Sequence, residues 1–182
     1  MLRVVFVFLF VSTALNAQQA GPFASFVAAS EQVLNDPHDL AFGPDGRLYI
    51  ADKFANRVTV MDPDTLKVVG RIGDGALFGA HDVSFGPDGK MYVAVTGASA
   101  VVVFDLSGDT PVREGALGPF PGTEGVLAHS NGRLYVMSSG TGELVSLENE
   151  KLLGIVGGMP GAHDVAEAPD GTVWVADNFK RN

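Results

Sequence analysis

A unit that recurs every 39 to 43 residues constrains this chain more than any other feature. It reads "PHDLAFGPDGRLYIA" at Pro37–Ala51, "AHDVSFGPDGKMYVA" at Ala80–Ala94 and "AHDVAEAPDGTVWVA" at Ala162–Ala176, with "HSNGRLYVMS" at His129–Ser138 marking a further copy. The turn glycines Gly46, Gly89, Gly132 and Gly171 are therefore 43, 43 and 39 residues apart. That is the period at which four short strands build one propeller blade. In the first unit, Leu40 and Phe42 alternate ahead of the turn and Leu48 and Ile50 follow it. Val58 and Val60 form a third run, and Val68 to Ile72 a fourth. Pro44 presets φ for the turn, Asp45 can bond its own backbone, and Gly46 takes the positive φ that β-branched residues resist.

A sheet that is apolar on both faces cannot stand alone, so the units must stack about an axis. The predicted fold is all-β, a β-propeller of four-stranded antiparallel blades. Its units span 37–79, 80–122, 123–161 and an incomplete 162–182. About three and a half blades are encoded, whereas closed propellers use four to eight. The reading taken forward is part of a six-bladed-like ring. A four-bladed ring closed by "PFASFVAA" at Pro22–Ala29, and chains that associate to complete a ring, stay open beside it. Residues 18–36 are then a lead-in that could supply a closing strand.

Ahead of the repeats, Arg3 precedes an apolar run from Val4 to Val11, and small and polar residues follow to Ala17. This pattern predicts a signal peptide over 1–17, with cleavage after Ala17 or, alternatively, Ala20. The expected location is outside the cytoplasm, periplasmic or secreted, with no membrane span once the signal is removed. The run is well short of the ~20 apolar residues that cross a bilayer. The chain contains no cysteine, which excludes disulfides, thiol nucleophiles and Cys-containing zinc sites. A net charge of −9 opposes nucleic acid as a partner.

The chemistry-bearing residues repeat with the fold. In a propeller the first strand of each blade is innermost, so His38, His81 and His163 stand at the mouth of the channel, with Glu124 in the matching place of the third unit. Three imidazoles converging ~2.1 Å from one point would make a site for zinc or a related divalent ion. The Asp that follows each histidine, at 39, 82 and 164, could orient an imidazole or act as an acid or base. The opposing reading is that these residues staple blade to blade by hydrogen bonds. His129 replaces the Gly43 of the turn and is expected at the surface. Asp52 and Asp177 are expected to cap turns, and Tyr49, Tyr92, Tyr135 and Trp174 to pack between blades. The ligand is expected to be a small molecule, peptide or protein at the channel mouth, with self-association if these residues are the whole protein.

"ADKFANRVTVMDPDTLKVVG", following "PHDLAFGPDGRLYI", resembles an NHL-type β-propeller repeat. Asp52, Asn56, Arg57 and Val58 match it, and "VADNF" at Val175–Phe179 begins it again. The resemblance implies the propeller fold and leaves function open. "AHDVAEAPDGTVWVAD" is similar more narrowly to the peptidyl-hydroxyglycine amidating lyases, six-bladed propellers that hold a catalytic zinc by histidines in this entrance position. That resemblance implies His38, His81 and His163 as metal ligands and Asp164 as a catalytic group; Glu124, read from its place at the mouth, is a second acid/base candidate. The lyases carry a tyrosine where this chain has Phe54 and Phe179, and their catalytic arginine has no clear counterpart.

Overall fold

The computed structural model describes residues 25–179. The expected signal segment lies outside them. Residues 25–36 carry no strand, and Phe26 and Val27 are exposed, so a closing strand is not formed over the described part of that lead-in. The first blade contains β1 (Pro37–Phe42), β2 (Leu48–Asp52), β3 (Arg57–Met61) and β4 (Val68–Ile72). The second contains β5 (Ala80–Phe85), β6 (Lys90–Val95), β7 (Ala100–Asp105) and β8 (Val112–Leu117). The third contains β9 (Thr123–Ala128), β10 (Leu134–Ser138), β11 (Glu143–Glu148) and β12 (Lys151–Val156). β13 (Ala162–Glu167) and β14 (Val173–Asp177) form a two-stranded fourth sheet. Every sheet is an antiparallel meander in chain order. Among the described residues no helix is long and apolar enough to cross a membrane.

The alternation of Val, Leu and Ala along the strands makes two dry seams. Tyr49, Val58, Val60 and Ile72 of the first blade pack against Val83, Met91 and Val93 of the second. Ala94 and Val101 of the second pack against Val126, Val136 and Leu147 of the third. Each fully buried valine contributes on the order of 1.5–3 kcal/mol, and Val58, Val93, Val101 and Val136 are all 0% exposed, so the seams hold the blades in fixed relation.

Polar staples cross the same seams. Thr96 Oγ1 donates to the Thr123 carbonyl at 2.8 Å, and Val126 N–H donates to Asp82 Oδ2 at 2.6 Å. His129, expected at the surface, is 3% exposed. Its Nδ1 accepts from Asn131 N–H, which puts the proton on Nε2, and Nε2–H donates across to the Gly171 carbonyl at 3.0 Å. A turn residue carrying a ring has found an acceptor on the neighbouring sheet. Trp174 departs from expectation in the other direction. It occupies the place of Tyr49, which is 7% exposed in the first seam, yet it is 66% exposed, because its face of β14 looks away from the third blade. Leu40 and Phe42, at 54% and 64% exposure, leave the outer face of β1 similarly open at the other end of the arc.

Candidate metal centre

The site begins with a fault in pairing that every unit shares. Pro37 pairs with Asp52 but Leu40 with Ile50, so the register shifts at His38–Asp39. The same shift isolates His81 between Ala80 and Asp82, Glu124 between Thr123 and Gly125, and His163 between Ala162 and Asp164. A β-bulge breaks strict alternation and re-aims side chains. Here it turns His and the following Asp toward the same inner edge.

Because β1, β5, β9 and β13 lie in succession along that edge, the bulged residues meet. The rings of His38 and His81 lie 3.9 Å apart between centroids, His81 and His163 4.8 Å, and His38 and His163 5.9 Å. The candidate donor atoms of the three histidines fall within 4.8 Å of one another, as do those of Asp39, Asp82 and Asp164 beside them. Both triads and Glu124 line one cavity of about 230 Å³. His38 is exposed, His163 half-buried and His81 buried, so the cavity opens on the His38 side.

Hydrogen bonds set the imidazole tautomers. His81 Nδ1 lies 3.0 Å from the Glu124 carbonyl, which can only accept, so Nδ1 holds the proton and Nε2 keeps its lone pair for the cavity. Nε2 is 4.0 Å from Glu124 Oε1. Burial, then the neighbouring His38 and Lys53, push the His81 pKa down to about 3, which keeps it neutral and ligand-competent at ordinary pH. Burial and Lys53 lower His38 as well. The carboxylates move the other way. Burial, opposed by the Val126 N–H bond and reinforced by Asp39 and Asp164, holds Asp82 well above the usual carboxylate range. Burial, with Asp39 adding to it, raises Asp164.

Asp82 also serves as a staple. Its two oxygens accept from Val83 N–H and Val126 N–H, both at 2.6 Å. The staple reading thus holds for Asp82 at the second unit, where His81 keeps Nε2 open to the cavity. At the first unit Asp39 accepts from Leu40 N–H and shares a side-chain hydrogen bond with Asp82, and at the fourth Asp164 accepts from Val165 N–H.

One residue at the site has no signal in the repeat. Lys53 Nζ lies 3.1 Å from His38 Nε2, and an ammonium can only donate, so Nε2 accepts. Lys53 follows Asp52, the register partner of Pro37, and strand pairing is what brings it there. Asp52 itself is fully buried and wholly engaged, accepting from Asn35 N–H, Arg57 Nε and Thr59 Oγ1. It makes no side-chain hydrogen bond to the turn it was expected to cap, and instead ties the lead-in at Asn35 to β3.

The donor set suits a divalent ion. A tetrahedral ion asks for nitrogen donors roughly 3.4 Å apart at ~2.1 Å from the centre. The donor atoms of the three histidines lie within 4.8 Å of one another, so they would have to draw closer, and Lys53 would have to release His38 Nε2 for that atom to serve.

Comparison with known proteins adds the fold's relatives. A family model described as Domain of unknown function (DUF5074) matches residues 28–180. A gluconolactonase from Xanthomonas campestris superposes with a TM-score of 0.68 at 20% identity, over 82% of this chain and 57% of that one. Virginiamycin B lyase from Staphylococcus aureus gives 0.62 at 14% identity, over 78% of this chain and 48% of that one. A short stretch of 41 residues is 46% identical to PE-PGRS family protein PE_PGRS18 of Mycobacterium tuberculosis, which is 22% of this chain and 9% of that protein. The chain thus spans about half the length of the solved propellers. The likeness to them is one of fold.

Proposed function

We propose that this chain, which belongs to the family described as Domain of unknown function (DUF5074), is an exported propeller of NHL type that binds a ligand or protein partner at its channel mouth through a divalent metal, zinc by preference. His38, His81 and His163 are the metal ligands. The observation that carries the reading is the convergence of three imidazoles from three separate sheets, each lifted from strand pairing by its own bulge. Zinc fits three neutral imidazoles better than a hard ion that seeks only oxygen. Glu124 and the Asp triad line the same cavity, and their oxygens are further donors within reach of a cation there.

The second reading is a metal-dependent lyase or hydrolase, related in manner to the peptidyl-hydroxyglycine amidating lyases, with Asp164 or Glu124 as acid or base. Asp164 favours it, because a half-buried carboxyl lining the cavity, its pKa raised by burial, can hold a proton to exchange. A divalent ion there would polarise a carbonyl or a bound water. The gluconolactonase among the solved propellers supports testing lactones as substrates, and the sequence resemblance to the amidating lyases supports testing peptidyl-hydroxyglycines. A metal-free interaction scaffold is the outcome if the histidines bind nothing.

Calorimetric titration of zinc into protein freed of metal tests the reading. One ion per chain is expected, with affinity falling at least about 100-fold in His38→Ala and His163→Ala, since even residues that merely orient ligands cost 10–100-fold. Neither substitution removes a blade staple, so the fold should survive. Absence of stoichiometric binding, or equal affinity in the variants, leaves the scaffold. If zinc binds, turnover of either substrate class separates enzyme from binder.

A further inference from the structure

Lys53 sits at a position that the repeat otherwise fills with small neutral residues: Thr96, Ser139 and Asn178 are its equivalents in the other units. All four share one backbone role. The N–H of each donates to the segment entering the first strand of its own unit, to the carbonyls of Asp36, Gly79, Gly122 and Gly161 respectively. That role needs no side chain, so the scaffold does not account for a lysine in the first unit. Its neighbour is shared with the fourth unit alone, as Phe179. Phe54 stands where the next two units have Gly97 and Gly140, glycines held against the carbonyls of Phe78 and Pro121.

The lysine is anchored, and no counter-ion pairs with it among the described residues. The 3-10 turn Lys53–Ala55 ends on Asn56 in the left-handed region at φ 55°, and Phe54 N–H donates to the Asn35 carbonyl. From this base Nζ reaches His38 Nε2 and lies 5.9 Å from the Phe54 ring centroid. Both contacts are with uncharged groups, and among the described residues Lys53 forms no ion pair. An apolar shelf lies beside it. Phe54 and Phe78 are 64% and 63% exposed, and Asn56 ties their loops together, its carbonyl accepting from Leu77 N–H and its Oδ1 from Gly79 N–H. Strand topology puts both loops on the face where the histidines open.

We infer that Lys53 is a specificity-determining residue of the histidine site, which reads the carboxylate of a ligand whose apolar body rests on Phe54 and Phe78. The inference rests on the histidine cluster being the binding site, and it names the ligand class. A single negative charge suits this cavity better than a phosphate dianion, because Asp39, Asp82, Asp164 and Glu124 line it. The ligand's anionic end is therefore confined to the Lys53 side, and its body extends outward over the phenylalanines.

The test compares phenylacetate with its neutral isostere phenylacetamide and with phenyl phosphate, by calorimetry or ligand-observed NMR on the intact chain, with and without zinc. Phenylacetate should bind at least about tenfold tighter than the amide, as a charge-assisted hydrogen bond warrants. Lys53→Met should bring phenylacetate down to the affinity of the amide, and Lys53→Arg should restore the preference. Phe54→Ala should weaken acid and amide alike. A preference that persists in Lys53→Met, tighter binding of phenyl phosphate, or no binding of phenylacetate overturns the inference. A chain that binds no zinc yet keeps a Lys53-dependent preference sinks the metal reading and supports this one.

Discussion

His81 and Asp82 are neighbours whose protons answer pH in opposite senses. With His81 lowered to about 3 from 6.5, the unfolded chain binds more protons than the folded one between those values, and stability from this residue rises with pH there. With Asp82 raised above 3.8, the folded chain binds more protons from that value up to the raised one, and stability falls as pH rises through that window. Asp39 is one cause of the Asp82 shift, and Asp39→Asn removes it. Urea-denaturation midpoints of metal-free protein, taken from pH 4 to 8, should show Asp39→Asn gaining on the wild type as pH increases. A gap that does not change with pH would refute the assignment. At this scale the sequence was informative wherever a residue repeats. The histidines and their aspartates could be placed because symmetry brings equivalent side chains to one edge. Lys53 could not, because a lysine in a turn has no pattern of its own and only the Pro37–Asp52 pairing carries it to His38. His129 misled for the same reason: a substitution for a turn glycine reads as surface until the acceptor at Gly171 is known.

At the level of the strand, the third unit explains its own exception. Where the others have His-Asp it has Glu124-Gly125, and a Cβ at Gly125 would lie 3.2 Å from both Asp164 Cα and the His163 carbonyl. β13 leans onto β9 at that point, so glycine there sets how closely His163 approaches the other two imidazoles. Gly125→Asp restores the repeat's own residue and should nonetheless weaken zinc binding several-fold and cost about 1–3 kcal/mol by overpacking. Calorimetry and thermal melts on the same sample measure both, and an unchanged zinc affinity would show that β13 is not held by this contact. The strands themselves were legible, since Pro-Asp-Gly turns and alternating valines specify antiparallel hairpins. The bulges were not, because an unpaired residue leaves no mark on apolar periodicity. They are nevertheless what aims the histidines.

At the scale of the described residues as a whole, the seams between blades are dry, and the outward faces of the first and fourth sheets are exposed. Leu40 and Phe42 at one end, and Trp174 with Ala166 and Ala176 at the other, present the two complementary faces that the interior seams join. Sedimentation velocity over a range of concentrations should show the described residues associating through these faces, and Phe42→Glu with Trp174→Glu should return the species to monomer. An unchanged distribution in the double variant would place any association elsewhere. Trp174 also marks where reasoning from repeats overreached: equivalence in sequence guarantees the same orientation, and burial depends on whether a further sheet arrives. The histidine cluster draws one member from each of three sheets, and no sheet owns it. Whatever occupies the cluster must therefore draw free energy from the docking of those sheets and return it, so occupancy and blade-to-blade cohesion rise and fall together. Loosening a single seam far from the imidazoles would be felt as weaker capture, which makes the mouth of the channel a gauge of the tertiary structure behind it.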